Sequence, residues 1–157
     1  MKEKEKERFM KLAIKEAQIA RKKEEVPIGA VIVKDSKVIS KGYNLRESKQ
    51  NSLKHAEIIA IDKACKKLGN FRLEGCELYV TVEPCLMCAG AIVQSRISKV
   101  YFGTTDEKYG AVISAANAFD IKSNHKVEFE AGICKGDCEK LIKDFFKEIR
   151  EKKKASK

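Results

Sequence analysis

Apolar residues recur at helical spacing near both ends of the chain, and four stretches in all predict helices. In the first stretch, Phe9, Ala13 and Ala17 lie four positions apart and therefore fall on one face of a helix. In the last stretch Leu141, Phe145 and Ile149 show the same spacing. The second stretch ends at Gly69 and Asn70, and the third has Pro84 near its first turn. The predicted helices cover about 3–23, 55–68, 84–95 and 137 to about 153.

Short runs of β-branched and apolar residues between these helices predict five strands. The run "IGAVIVKDSKVISKGYN" predicts a hairpin that turns at "KDSK". Further along, "CELYVTV" predicts a buried strand. The runs "KVYFGT" and "KVEFEAGI" predict the last two strands.

The alternation of strands and helices indicates one α/β domain over residues 1–157. We expect a three-layer α/β/α sandwich, with a central five-stranded sheet flanked by helices. The stretch 105–124 shows no clear period, although "GAVISAANAF" within it could form a short helix. From about residue 137 onwards, the domain ends in a basic helix and tail.

Nothing in the sequence predicts export or membrane insertion. No stretch approaches the roughly 18 consecutive apolar residues that a membrane-spanning helix needs. The N-terminal residues "MKEKEKERFM" alternate in charge and lack the apolar segment of a signal peptide. We therefore expect a cytoplasmic protein with no membrane partner.

Positive charge is concentrated at the two ends of the chain. The net charge is +10. Residues 140–157 hold eight lysines and arginines against three acidic residues, and residues 1–25 hold nine against six. Such ends are either solvated tails or a surface for phosphate groups, because neutralising phosphates releases counterions.

The six cysteines include a close pair that could hold a metal. In a reducing compartment they do not form a disulfide framework, so close pairs indicate metal or redox chemistry. Cys85 and Cys88 follow Pro84, project from one face of the predicted helix and lie near its N-terminus, which favours thiolates. By itself this pair also fits a redox centre or two buried cysteines. The other cysteines are Cys65, Cys76, Cys134 and Cys138.

His55, at the start of the second predicted helix, can complete a metal site with this pair. One histidine and two cysteines leave a fourth tetrahedral position for water, the pattern of catalytic zinc. Glu57 could then accept and return a proton of that water. His-x-Glu followed by Pro-Cys-x-x-Cys is typical of zinc-dependent nucleobase deaminases. The alternative is a closed structural zinc site, which needs a fourth ligand from another cysteine and leaves Glu57 without a role.

Longer stretches of the chain resemble the bacterial tRNA-specific adenosine deaminases. The resemblance spans roughly residues 5–150 and rests on "PIGAVIV", "GYN", "HAEIIAI", "LYVTVEPCLMCAGAIVQSRISKVYFG" and "DFF". It implies a cytidine deaminase-like fold with a mixed sheet, and a homodimer that converts the wobble adenosine of a tRNA anticodon to inosine. Members of the family often have a Gly-Ser-Leu element after the "GA" at 110–111, whereas this chain reads "GAVISAANAF". This departure concerns substrate choice and leaves the zinc chemistry untouched.

Carried over position by position, the resemblance implies a role for nine residues. His55, Cys85 and Cys88 would hold one Zn²⁺ per chain, and Glu57 would move protons. Asn44 would orient the base. The residues that would approach the RNA of the anticodon stem-loop are Asp106, Lys108, Phe146 and Arg150. Glu83, just before Pro84, is expected to orient the local backbone rather than to catalyse.

Two other functions stay open on the sequence alone. A deaminase of free cytosine, cytidine or guanine, or of a nucleotide, would use the same zinc and glutamate. The basic last helix and the extent of the resemblance favour tRNA over these small substrates. A non-catalytic, zinc-stabilised RNA-binding module is the alternative of another class, and such a module would have no use for Glu57.

Overall fold

The computed structural model describes residues 2–156, within which the chain forms four α-helices and five strands. The helices are α1 (Lys2–Lys22), α2 (Ala56–Leu68), α3 (Leu86–Gln94) and α4 (Lys135–Ala155). The strands are β1 (Gly29–Lys34), β2 (Lys37–Tyr43), β3 (Cys76–Val82), β4 (Lys99–Thr104) and β5 (Glu128–Ala131). A single 3₁₀ turn covers Ala118–Asp120.

The five strands form one mixed sheet in the order β2-β1-β3-β4-β5. Strand β1 is antiparallel to both β2 and β3, whereas β3, β4 and β5 are parallel to one another. Strands β2, β3 and β4 therefore all finish on the same side, at Tyr43, Val82 and Thr104. We call this side the carboxyl end of the sheet. In open α/β sheets, ligands bind beyond the carboxyl ends of parallel strands.

Helices cover both faces of the sheet, which confirms the predicted three-layer architecture. Successive residues of β3 face opposite sides, because side chains alternate along a strand. Leu78 and Val80 pack in the core beneath α2 and α3. Tyr79, between them, packs with Phe9 and Met10 of α1 in a second core on the other face. Helix α4 lies on the same face as α1, where Cys138 joins that second core.

Helix α2 lies unusually close to β2, and this packing positions the start of the helix. A Cβ atom at Gly42 would lie 2.5 Å from the carbonyl oxygen of Ala56 and 2.9 Å from the amide nitrogen of Ala60. Only glycine leaves room for that approach. The first turn of α2, which follows His55, is therefore held directly against the end of β2.

Helices α1 and α4 run side by side, and α4 continues past the end of α1. The Arg21 guanidinium pairs with Glu148, and Glu24 pairs with Lys152 at 3.8 Å. Glu24 lies between the end of α1 and the start of β1, and β1 begins at the carboxyl end of the sheet. The last turns of α4, which pair with Glu24, therefore lie near that end. Among residues 2–156, no helix is both long enough and apolar enough to span a bilayer.

The structure differs from the predicted elements chiefly between β4 and β5. The short helix suggested for "GAVISAANAF" is wrong, because residues 110–117 form turns and irregular backbone before the 3₁₀ turn. The physical reason is a buried carboxylate, Glu83, which accepts hydrogen bonds from the backbone N–H groups of Val112, Ile113 and Ser114. These N–H groups are thereby held in a turn around the carboxylate.

Candidate metal centre and active site

Three potential metal ligands from two separate segments meet at the carboxyl end of the sheet. His55 and Cys85 are the extended residues immediately before α2 and α3, and Cys88 lies in the first turn of α3. His55 Nδ1 lies 3.7 Å from Cys85 Sγ and 3.5 Å from Cys88 Sγ. The three ligand atoms lie within 4.8 Å of one another, and theirs is the one such group found among residues 2–156.

The spacing of these atoms fits a tetrahedral zinc site. Bonds of about 2.0–2.1 Å to nitrogen and about 2.3 Å to sulfur, at tetrahedral angles, place the two ligand atoms about 3.6 Å apart. The observed nitrogen–sulfur distances of 3.7 and 3.5 Å lie on either side of that value. The donor set is also the one that zinc and other thiolate-binding metals prefer.

The electrostatics of the two thiols also fit a bound cation. The hydrogen bond from Cys88, followed by that from His55, lowers the pKa of Cys85 to about 4. The same contact with Cys85, together with burial, raises the pKa of Cys88. One thiolate therefore forms readily beside His55, but a second would repel it. A divalent cation held by both cysteines would remove this repulsion and let both thiols ionise.

Glu57 lies beside this group and is well placed to exchange protons. It belongs to the first turn of α2, two residues after His55, and is only 4% exposed. Burial raises the pKa of its carboxyl to about 7. A carboxyl with a pKa near neutrality can both take up and release a proton, which suits a general acid–base. The structure thus places the predicted proton shuttle next to the predicted ligands.

The residues predicted to contact RNA lie in three different environments. Asn44, directly after β2, is buried, and its amide donates to the carbonyl of Val26 at 3.3 Å while its oxygen accepts the N–H of Arg46 at 3.2 Å. Asp106, after β4, accepts the N–H groups of Lys108 and Tyr109, each at 3.1 Å. The exposed side chains among them are Lys108, Phe146 and Arg150.

Buried glutamates hold two loops near the site, namely the loop that follows β2 and the 105–114 loop that follows β4. Burial alone would raise the pKa of Glu83, but hydrogen bonds from Ser114 and from the backbone of the 105–114 loop hold it below its usual value. Its expected role of orienting the local backbone is confirmed by these contacts. Glu25, which the sequence analysis missed, accepts the N–H groups of Glu47 and Ser48. Nothing in the sequence distinguishes Glu25 from its neighbour Glu24, because burial separates them only after folding.

The other four cysteines do not complete a closed metal site. None of them belongs to the three-ligand group found within residues 2–156. Cys134 precedes α4, and Cys138 is buried one helical turn later, near Gly103. Burial raises the pKa of Cys65, Cys76 and Cys138, so these thiols stay neutral and behave as small apolar residues.

Comparison with known proteins identifies the family. The MafB19-like deaminase model matches residues 4–150. The tRNA-specific adenosine deaminase of Bacillus subtilis (strain 168) is 50% identical over 151 residues, which make up 96% of this chain and 94% of that protein. The chain belongs to the tRNA-specific adenosine deaminase family.

One further relative and one solved structure are also similar to this chain over most of its length. The tRNA-specific adenosine deaminase of Aquifex aeolicus (strain VF5) is 47% identical over 146 residues, 92% of this chain and 96% of that protein. A solved structure from a study of A-to-I editing by tRNA:A34 deaminases at the wobble position superimposes with a TM-score of 0.83. It is 41% identical and covers 85% of this chain and 98% of its own. The cytidine deaminase-like fold implied by the sequence is thereby confirmed.

Proposed function

We propose that this protein is a zinc-dependent enzyme that deaminates the wobble adenosine of a tRNA anticodon to inosine and releases ammonia. The observation that carries the proposal is a buried glutamate, Glu57, beside a three-ligand group whose spacing suits zinc. The names of the relatives, with 47–50% identity over nearly the whole chain, support tRNA as the substrate. The structure of a tRNA:A34 deaminase with the same fold supports the wobble position.

In this proposal His55, Cys85 and Cys88 hold one zinc ion per chain. Three protein ligands leave one position of a tetrahedral site for solvent. When bound, zinc supplies a Lewis acid that makes water a stronger nucleophile at neutral pH. The residues that precede α2 and α3 are rigidly placed by those helices, which suits ligands that must keep a fixed geometry.

Glu57 moves the protons of the reaction. It accepts a proton from the water that attacks C6 of adenine and delivers it to N1 of the ring. It then takes the proton of the new hydroxyl at C6 and passes it to the amino group; the C6–nitrogen bond breaks, ammonia leaves, and the C6–oxygen bond becomes the carbonyl of inosine. Because Glu57 is buried and its pKa is raised to about 7, the carboxyl can alternate between its two states at neutral pH.

The RNA is held by residues around the carboxyl end of the sheet and along α4. We propose that Asn44 orients the base through its amide, and that Asp106 and Lys108 lie along the RNA backbone. Phe146, 41% exposed, and Arg150 present a stacking face and a cation on the same helix. Since α4 passes Glu24 near the carboxyl end of the sheet, its basic last turns can meet phosphates that flank the anticodon.

The proposal also includes the assembly and the place of the enzyme. As the resemblance implies, we propose a homodimer that acts in the cytoplasm as a single deaminase domain. Sedimentation of the zinc-loaded protein at micromolar concentration tests the dimer, and a monomer at every concentration would contradict it.

The decisive experiment compares substrates for ammonia release. The zinc-loaded protein is incubated with an anticodon stem-loop that carries adenosine at the wobble position, and inosine is measured by mass spectrometry of the digested RNA. Parallel reactions contain cytosine, cytidine, guanine or free adenosine, and a stem-loop with guanosine at the wobble position is the matched control. We expect turnover of the adenosine stem-loop alone. Turnover of a free pyrimidine or of guanine, with none on the stem-loop, would contradict the proposed substrate.

A further inference from the structure

Glu83 is the most heavily hydrogen-bonded carboxylate among the residues that the structure describes. It follows β3, is 3% exposed and makes no ion pair with a described residue. One oxygen accepts the N–H of Asp106 at 3.1 Å and the hydroxyl of Ser114. The other oxygen accepts the N–H groups of Val112, Ile113 and Ser114 at 3.0, 2.8 and 3.0 Å. A single buried side chain therefore gathers both ends of the 106–114 segment.

This segment is also joined to the polypeptide that carries a metal ligand. The N–H of Ala111 donates to the carbonyl of Pro84 at 2.8 Å, and Gly110 forms a β-bridge with Cys85. A Cβ atom at Gly110 would lie 2.3 Å from the Glu83 carboxyl carbon, so glycine is needed where the segment crosses the glutamate. The 106–114 segment is thus fixed relative to Cys85 on two sides.

Several side chains of the segment face solvent, on a turn that is bonded to the backbone of Cys85 in the three-ligand group. Tyr109 is 63% exposed and Ile113 is 41% exposed. Large apolar side chains held in the open on a tethered turn are suited to stacking against an unpaired base or packing on a ribose. Asp106 joins the same unit, because its carboxylate accepts the N–H groups of Lys108 and Tyr109.

We propose that Glu83 is a positioning residue: by holding the 106–114 segment against Pro84 and Cys85, it sets where Tyr109, Ile113 and Asp106 meet the nucleotides beside the reacting base. This role rests on the proposed function. Glu83 itself touches neither the base nor the metal in this view. Its loss should therefore weaken the binding of the stem-loop more than it slows the chemical step.

The test replaces Glu83 by glutamine, which keeps the size but exchanges one acceptor oxygen for an N–H₂ donor facing N–H groups. For Glu83→Gln we expect KM for the adenosine stem-loop to rise about tenfold or more, with kcat within about threefold of the wild type. Zinc content stays at one per chain. Hydrogen exchange of Val112, Ile113 and Ser114 accelerates, while exchange in β3 is unchanged. The matched control is Glu130→Gln on the other face of the sheet, which removes the same charge and should leave KM unchanged.

Several results would overturn the proposal. A fall in kcat with unchanged KM would place Glu83 in the chemistry, and unchanged KM together with unchanged hydrogen exchange would deny it any positioning role. If Glu83→Gln does not fold, Ser114→Ala decides: it removes one hydroxyl donor and should raise KM about two- to threefold, and no rise contradicts the proposal. Failure of the proposed function shows separately, since the wild type would then release no ammonia from the stem-loop while the hydrogen-exchange comparison still reports on the segment.

Discussion

Two side chains at the start of α2 lie two positions apart and have different surroundings. His55 precedes the helix and is half-buried, whereas Glu57 lies in its first turn and is buried. The extended backbone at His55 turns the imidazole towards Cys85 and Cys88. Glu57, inside the helix, stays beside this group without joining it. The same local geometry therefore distinguishes the proposed ligand His55 from the proposed proton carrier Glu57.

Replacing Glu57 by glutamine should abolish deamination without loss of the metal. The amide fills the same space, so the ligand geometry is kept, but it cannot accept the proton of the attacking water. We expect kcat on the adenosine stem-loop to fall by about 10²- to 10⁴-fold or more. Metal content by mass spectrometry and stem-loop binding by fluorescence anisotropy should match the wild type. Undiminished ammonia release would show that Glu57 is not the proton carrier.

Replacing Cys88 by serine should release the metal. A neutral hydroxyl is a poor substitute for a thiolate, so we expect zinc affinity to fall by more than the roughly 10- to 100-fold that changes around the ligands cost. Deamination should fall with it. Cys65→Ser is the matched control, because Cys65 lies on α2 outside the three-ligand group. Metal retained by Cys88→Ser, as measured after gel filtration, would remove Cys88 from the site.

At the scale of elements, the packing of α2 on β2 connects stability to the metal site. Gly42→Ala places a methyl group 2.5 Å from the Ala56 carbonyl, so the first turn of α2 must move. We expect the free energy of unfolding to fall by about 1–3 kcal/mol. Zinc affinity should fall as well, because His55 immediately precedes that turn. Urea denaturation and metal titration measure the two effects.

Gly90→Ala is the control for this change. Gly90 lies in α3, and a Cβ atom there meets nothing within 4 Å. Alanine in an exposed helical position should raise the stability by about 0.4–1 kcal/mol. If both substitutions were tolerated equally, the close approach of α2 to β2 would not determine the position of His55.

Local sequence predicted the regular elements well and failed where a distant side chain determines the backbone. Helix α2 and strands β3 and β4 are found at their predicted positions, because each is a stretch rich in apolar or β-branched residues. Strand β5 is shorter than the predicted 126–133 and covers Glu128–Ala131. The 110–119 segment is rich in residues that tolerate a helix, but Glu83, more than 25 positions earlier, holds its N–H groups in a turn.

At the scale of the whole molecule, the candidate site could be predicted because its chemistry is restrictive. Few arrangements use one histidine, a Cys-x-x-Cys pair and a nearby glutamate, so the residues could be grouped although 30 positions separate His55 from Cys85. The roles proposed for Asn44 and Asp106 rest on the family resemblance and could not be derived from this chemistry. Their polar groups bind backbone atoms of the protein itself, and only the folded structure shows these contacts.

The distribution of charge over the molecule predicts how binding depends on salt. The exposed residues Lys153 and Lys154 belong to the last turn of α4, near the carboxyl end of the sheet. If they neutralise phosphates of the stem-loop, their loss reduces the number of counterions released on binding. For Lys153→Gln/Lys154→Gln we expect the slope of log(kcat/KM) against log[salt] to become less negative by about 1–2. Turnover at saturating stem-loop should not change.

A second double variant, which removes the same charge at the opposite end of the sheet, distinguishes direct phosphate contacts made by α4 from a general effect of net charge. Lys2 and Lys4 begin α1, close to Lys6, which pairs with Glu130 at 3.0 Å. Glu130 also lies 3.6 Å from Lys99, the first residue of β4, so this region is opposite the carboxyl end. Lys2→Gln/Lys4→Gln should therefore leave the salt slope close to that of the wild type. Equal changes in both double variants would mean that overall charge attracts the RNA, and that α4 makes no direct phosphate contact.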